Sequence, residues 1–359
     1  MPPFTIDLMS TNRNTILFWL IAVLFGTLAP STICPSLSAQ SAEGAAVTTS
    51  LTQFPVTRFW LSPSVGLPVD GWESPASELI KAIVVDIDER DIVCVSKENP
   101  TTPFKHPASQ LQAIEVIWAN ETAVLAHSAF ARGEFAAAIE NSKKAIAEGK
   151  IPRWQQKILA SEITDSLANL GQTTNACRVF VSLCKESPAA LLYASAPLNW
   201  TSQRGNTQLV QQAQEWIQAD RAPIEQLIGA SWLLNGNEVS SARSMMEQLR
   251  RSKSTVIAQL ATVQLWRLEL PNQVAQQYPK WSEYRDRMLL PLQIGPTMTI
   301  ADKLERAGRK EEALQEWLRI VAIHPKQRRE VPLARESAVE LLTQLGRIEE
   351  ANRLRDRLR

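Results

Sequence analysis

The spacing of apolar positions changes character along the chain and divides it into three stretches. Residues 16–29 form an almost unbroken apolar run, and no residue between Arg13 and Glu43 is charged. Fourteen helical residues rise only about 21 Å, short of a bilayer core but within the range of the apolar part of an export signal. Pro30 interrupts the run, and Ser36, Ser38 and Ala39 supply a cleavage site after Ala39. Residues 1–39 therefore read as a signal peptide, with an uncleaved anchor over 15–29 as the alternative. Acylation of Cys34 fits less well, because Ser31, Thr32 and Ile33 lack the leucine and small residues usual before such a cysteine. The expected location is the periplasm or cell envelope, with membrane contact only through an uncleaved N-terminal segment. Residues 40–54, rich in Ser, Ala, Thr and Gly, read as a linker.

From 55 to 119 the period is two. Residues 56–61 predict a strand; Leu79, Ile83, Val85 and Ile87 share one side of another; Glu89, Arg90 and Asp91 make a polar turn into residues 92–95. Residues 111–118 predict a later strand. Prolines at 63, 68, 75, 100, 103 and 107 fall in the gaps, where a missing N–H does least harm. Because isolated strand pairs are marginal, closure into a small all-β barrel is the expected completion.

After Asn120 the period is helical to the C-terminus, and the same frame recurs. Gly308 is followed by Ala313, Trp317 and Pro325, and Gly346 by Ala351, 38 residues later. Gly133 and Ala138 stand in the same relation to Gly171 and Ala176, again 38 residues apart, with Pro188 closing that unit. The glycines suit a left-handed turn, the alanines close helix approach, and Leu125, Ile163, Leu167, Leu304 and Trp317 the space between units. Between them, 208–219, 224–234 and 256–268 predict helices, with Gly236 and Ala242 as a degenerate copy. Residues 196–206 and 291–296 read as breaks.

This frame resembles the tetratricopeptide repeat: glycine at the turn, alanine five residues on, an aromatic four later, proline at the end. The resemblance implies a mainly α fold over 120–359, an α-solenoid of helical hairpins whose first helices line a groove. The pattern over residues 83–95, with Ser109, Leu111, Ile114 and Ile117, resembles the SH3-like or Sm-like barrels that precede such repeats in some exported bacterial proteins. Carrying the family's groove positions over gives Ala123, His127 and Phe130, then Ile158, Ser161, Asp165 and Asn169, and near the C-terminus Met298, Asp302, Glu305, Arg306, Leu333, Glu336 and Glu340. Some members grip a terminal carboxylate with cations at these places; the carboxylates here imply another protein offering a basic or neutral segment.

Charge and chemistry sharpen this reading. The 38 basic and 37 acidic side chains leave +1 overall, and residues 51–120 carry 5 basic against 9 acidic groups, which opposes phosphate contacts by the β module. A polyanion binder using that module and the arginines at 347, 353, 355, 357 and 359 is the alternative, and nucleic acid is not the expected partner. His106, in a Pro-rich loop, His127 and His324 have no catalytic neighbour at motif spacing, and no phosphate-loop, zincin or nucleophile-elbow motif occurs. Asp86, Asp88 and Asp91 read as an acidic turn rather than a calcium loop. No enzyme activity, metal or cofactor is expected. Cys177 and Cys184 fall about 10 Å apart along one predicted helix and cannot bridge. Asn120 and Asn199 head glycosylation triplets. The tryptophans at 154, 216, 232, 266 and 317 fall on predicted helices and suit interfaces between units.

Overall fold

The computed structural model describes residues 55–61, 78–118, 120–201, 205–324 and 329–356. The predicted signal segment and linker, Trp72 and Pro325 lie outside them. The described chain is mainly helical, with a small antiparallel sheet before the helices.

The sheet has five strands: β1 (Thr57–Leu61), β2 (Glu78–Ile87), β3 (Asp91–Val95), β4 (Pro103–Pro107) and β5 (Leu111–Glu115), in the order β4-β3-β2-β1-β5. β2 is shared between two ladders. Its first half pairs with β1, its second half with β3, and the register shifts between Val84 and Asp86. That shift breaks the alternation expected for the strand: Ala82, Ile83 and Val84 are all buried, while Leu79 is exposed. β4 and β5 form the two ends and, among the described residues, do not pair with each other. β4 itself is a correction. The stretch around His106 read as a Pro-rich loop, but Pro103 and Pro107 bracket a strand on the edge of the sheet, where a proline deprives no neighbour of a hydrogen bond. The Asp86–Asp91 turn is an ordinary one: Asp88 Oδ1 accepts the Arg90 and Asp91 amides at 2.7 and 2.8 Å.

Thirteen α-helices follow among the described residues: α1 (Glu121–Arg132), α2 (Phe135–Glu148), α3 (Arg153–Asn169), α4 (Thr173–Cys184), α5 (Thr207–Trp216), α6 (Pro223–Leu233), α7 (Val239–Leu249), α8 (Thr255–Trp266), α9 (Pro271–Asp286), α10 (Ile294–Arg306), α11 (Lys310–Ile323), α12 (Glu330–Gln344) and α13 (Ile348–Asp356). Most pack on the next in sequence, and α1 also packs on α3, α6 on α8 and α8 on α10. The four repeated glycines do what their spacing predicts. Gly133, Gly171, Gly308 and Gly346 have φ of 80°, 74°, 76° and 77°. At each, the glycine amide bonds three residues back and the next amide five residues back, so a two-bond turn ends the first helix. The residue after the glycine then accepts the amide of Ala138, Ala176, Ala313 or Ala351 and opens the second helix. All four alanines are buried, at 1% exposure or less.

Three predictions about the helices change. Leu125 is exposed, and among the described residues no helix precedes α1 to cover it. α9, which carries Pro279 in its interior, escaped the sequence reading because proline and a mostly polar surface hide its period. Residues 291–296 are not wholly a break: α10 starts at Ile294, with Pro296 in its first turn, where its missing N–H is tolerated.

Sheet and helices share a core. Trp154, expected between helical units, packs among Phe59, Leu61, Val84 and Ile92, and its Nε1 donates to the Val84 carbonyl at 3.1 Å. One turn on, the buried Lys157 donates to the Ile87 carbonyl at 2.8 Å and lies 3.7 Å from Asp86. Burial pulls its pKa down, and Asp86 opposes that. Both carbonyls belong to the half of β2 that lacks β1 as a neighbour, so α3 satisfies this edge. Lys157→Met keeps the stem but strands the Ile87 carbonyl, and a loss of about 2 kcal/mol is expected in chemical denaturation. An unchanged midpoint would mean that the lysine does not hold the sheet to α3.

Candidate functional site

The helices α6, α8 and α10 are alternate members of the array and line up on one face. Lying on that face is a piece of the chain itself. After the short 3-10 helix Ala190–Ser195, residues 196–201 run without regular structure ahead of α5. Their main chain is read by side chains. Ser231 Oγ accepts the Asn199 amide at 2.8 Å, and Gln264 Nε2 donates to the Asn199 carbonyl at 3.3 Å. Trp232 Nε1 donates to the Pro197 carbonyl at 2.9 Å. Arg267 and Asn235 both donate to the Thr201 carbonyl, at 3.0 and 2.8 Å. Leu198 is buried in the helical core, and the Trp200 ring lies directly over Gly295 of α10. Residues 196–201 thus form a strap held by side chains on and beside α6 and α8.

Such side chains would be costly without the strap. Ser231 and Gln264 are fully buried on helices whose other faces are apolar. Among the described residues Arg267 donates to neutral oxygens alone, on Ser231, Gln264 and Thr201, and burial lowers its pKa to about 10 against the pull of Asp302. Sequence reasoning missed this group. The one available signal was polar residues set into the apolar stripes of α6 and α8, a third of a hundred residues apart.

The predicted groove residues fall into two groups. On the N-terminal side, His127 of α1 and Glu162 of α3 meet, Nδ1 to Oε1 at 2.6 Å. Asp165 and Asn169 follow on the same face of α3, and Asn169 Nδ2 donates to the Asp165 carbonyl at 2.8 Å. The Asp165 carboxyl has its pKa pushed up to about 8, by burial first, then by Glu330 and Glu162, while Arg329 opposes. Arg329 and Glu330 open α12, so the far end of the array comes close to α3. Phe130, half-buried, packs edge-on against Phe135 of its own hairpin. Ala123 and Ser161 are buried, and Ile158 is covered by the sheet's core.

On the C-terminal side several predicted residues are already engaged. Met298 is buried in the helical core and offers nothing to a partner, a correction to its assignment. Glu305, half-buried, accepts Trp317 Nε1 at 3.2 Å. Asp302 pairs with Arg306 at 2.9 Å. Leu333, Glu336 and Glu340 of α12 are exposed, Glu340 accepting only Gln344 at 3.1 Å.

The remaining polar candidates are structural. His106 sits between the rings of Phe59 and Phe104. Burial beside Arg319 lowers the His324 pKa to about 4. Burial raises the Cys94 thiol to about 12 and raises Cys177 and Cys184 as well, which suppresses the nucleophilic thiolate at all three. Neither glycosylation triplet is presented: Asn120 caps α1 and donates to Glu148, and Asn199 is buried with its Oδ1 accepting from Thr201. Among the described residues no group of three or more His, Cys, Asp or Glu could hold a metal, and no helix is long and apolar enough to cross a membrane.

No protein-family model, no curated protein and no solved structure matches the chain.

Proposed function

We propose that the chain is a non-catalytic, exported scaffold that holds another protein along the face made by its first helices, on a tetratricopeptide-like array preceded by an SH3-like module. The observation that carries this reading is the strap: side chains of α6, α8 and the turns that follow them grip an irregular main-chain segment by five hydrogen bonds, one to an amide and four to carbonyls. A face that binds its own extended segment this way has the chemistry to bind another's. The four repeated glycine–alanine turns support the repeat assignment, and the division of β2 between two ladders, with a 3-10 turn joining β4 to β5, supports the small-barrel assignment.

The exposed acids of α12 extend that face beyond the strap. Glu336→Lys with Glu340→Lys reverses two charges that carry no buried contact, so the fold is expected to melt as before while capture of the native partner from an envelope extract is lost. Asp302 and Glu305 stay unaltered in this test, because the first offsets Arg267 and the second holds Trp317. Full capture by a well-folded double variant would rule out a basic segment seated on α12.

A further inference from the structure

We propose that the N-terminal end of the first-helix face, between α1 and α3, is a seat for one cationic side chain of the bound protein, an arginine guanidinium above all, held by Glu162 and Asp165. The proposal takes its partner from the scaffold reading, but its chemistry is carried by the site itself. Glu162 is 8% exposed at its side chain, and only one of its carboxylate oxygens is used: Oε1 meets His127, while Oε2 is buried with no hydrogen-bond donor from the protein. A buried acceptor left empty costs about 1–3 kcal/mol, more when it is charged.

A second empty acceptor lies two turns earlier on the same face of α3. Gln155 is 1% exposed; its Nε2 donates to the Ile117 carbonyl, and its Oε1 is unpartnered. Trp118, next to Ile117, places its ring 5.7 Å from that of His127, and its own Nε1 is buried without an acceptor. The corner therefore holds polar groups the chain leaves unsatisfied, beside a flat aromatic surface of the kind on which a guanidinium stacks.

Asp165 supplies the second carboxyl. It lies one turn after Glu162, hence beside it on the helix surface. Among the described residues its carboxyl makes no hydrogen bond, yet it sits deep among protein atoms while the residue keeps partial contact with solvent. The charges facing it are Glu162, Glu330 and Arg329, with His127 beyond Glu162. Arg329 is itself paired with Glu330 at 3.0 Å, so its charge is shared. Five donors in a plane match two carboxyl groups better than a single ammonium can.

The site carries a proton that the ligand must displace. With its pKa at about 8, Asp165 is mostly neutral at neutral pH. A cation favours the carboxylate, so binding releases that proton, and affinity rises with pH until Asp165 ionises unaided. Stability runs the opposite way: a raised carboxyl pKa stabilises the fold fully below the ordinary aspartate value, and that contribution disappears as pH rises through about 8.

N-acetyl-arginine amide, N-acetyl-lysine amide and, as the uncharged control, N-acetyl-norleucine amide are titrated into the folded chain by calorimetry. Saturable 1:1 binding of the arginine probe is expected with a Kd on the order of 1 mM. It should tighten at least about tenfold between roughly pH 6 and roughly pH 8, with proton release seen from buffers of different ionisation enthalpy. Asp165→Asn resembles the protonated acid and so should fold, bind about tenfold more weakly and lose most of the pH dependence. No saturable binding, equal binding of norleucine, or a pH-independent wild-type response would overturn the proposal. Probe binding by a chain that captures no protein would leave this seat standing and sink the scaffold reading, whereas capture lost on α12 charge reversal with no probe binding would sink the seat alone.

Discussion

Replacing Arg285 with alanine is expected to cost about 3–5 kcal/mol, because it leaves Glu316 charged and buried without its partner. Arg285 is the largest fully buried side chain of the protein's described residues. It reaches from α9 to Glu316 of α11, whose other oxygen accepts the Tyr278 hydroxyl at 3.0 Å, and its Nε donates to Asp286 at 2.9 Å. These bonds fasten α9, a mostly polar helix carrying an internal proline, to the array. Asp286 keeps Arg319 at 2.8 Å, so Glu316 alone bears the loss. In a scanning calorimeter the midpoint should fall by roughly 6–20 °C. Arg285→Met combined with Glu316→Leu removes both charges together and should recover most of that loss, since apolar residues of similar volume replace buried pairs at little cost. A single variant that melts within a degree of the wild type would show that the pair contributes nothing to the fold.

The ion pair also illustrates which parts of this fold can be read from residues alone. Gly133, Gly171, Gly308 and Gly346 were legible because the turn each makes is local: the glycine, the two amides and the alanine five residues on lie within one stretch of chain, so spacing carries the structure. The positions of strands β1, β2, β3 and β5 were legible because β-branched runs and the turns between them are local too, whereas the register shift that breaks the alternation of β2 was not. Arg285 and Glu316 are 31 residues apart, on helices whose facing was not deducible, and each alone looks like a solvated charge. Leu125 erred for the complementary reason. Its position in the frame predicts a buried side chain, but the neighbour that would bury it is a preceding helix, and among the described residues none precedes α1. Of the residues carried over from the repeat frame, His127 faces α3, and Asp165 and Asn169 share one face of that helix as helical period implies, while Glu162, one residue off the transferred positions, was missed although it makes the contact with His127. Met298 differs because the periodic frame does not say which first-helix position the helical core buries.

That strap predicts the second large effect. A Cβ added at Gly295 would lie 2.0 Å from the Trp200 ring and 2.4 Å from two further ring atoms, far inside contact distance. Three ring atoms meet it together, so a small side-chain adjustment does not relieve the clash; the indole must leave or α10 must shift. Trp200 is tied on both sides, since Asn199 is held by Ser231 and Gln264, and the Thr201 carbonyl by Arg267 and Asn235. Gly295→Ala is therefore expected to destabilise by about 3 kcal/mol, the upper part of the range for overpacking. The consequence should be local as well as global. If the indole leaves, the strap loosens, Ser231 and Gln264 lose their main-chain partners, and the amide of Asn199 exchanges with solvent faster than in the wild type. Trp200→Ala in the same chain removes the clash and should restore part of the stability that Gly295→Ala loses, a coupling a double-mutant cycle measures. Additive losses in that cycle would mean that glycine at 295 serves the helix rather than the strap, and that α6, α8 and their C-terminal turns grip residues 196–201 less tightly than their hydrogen bonds imply.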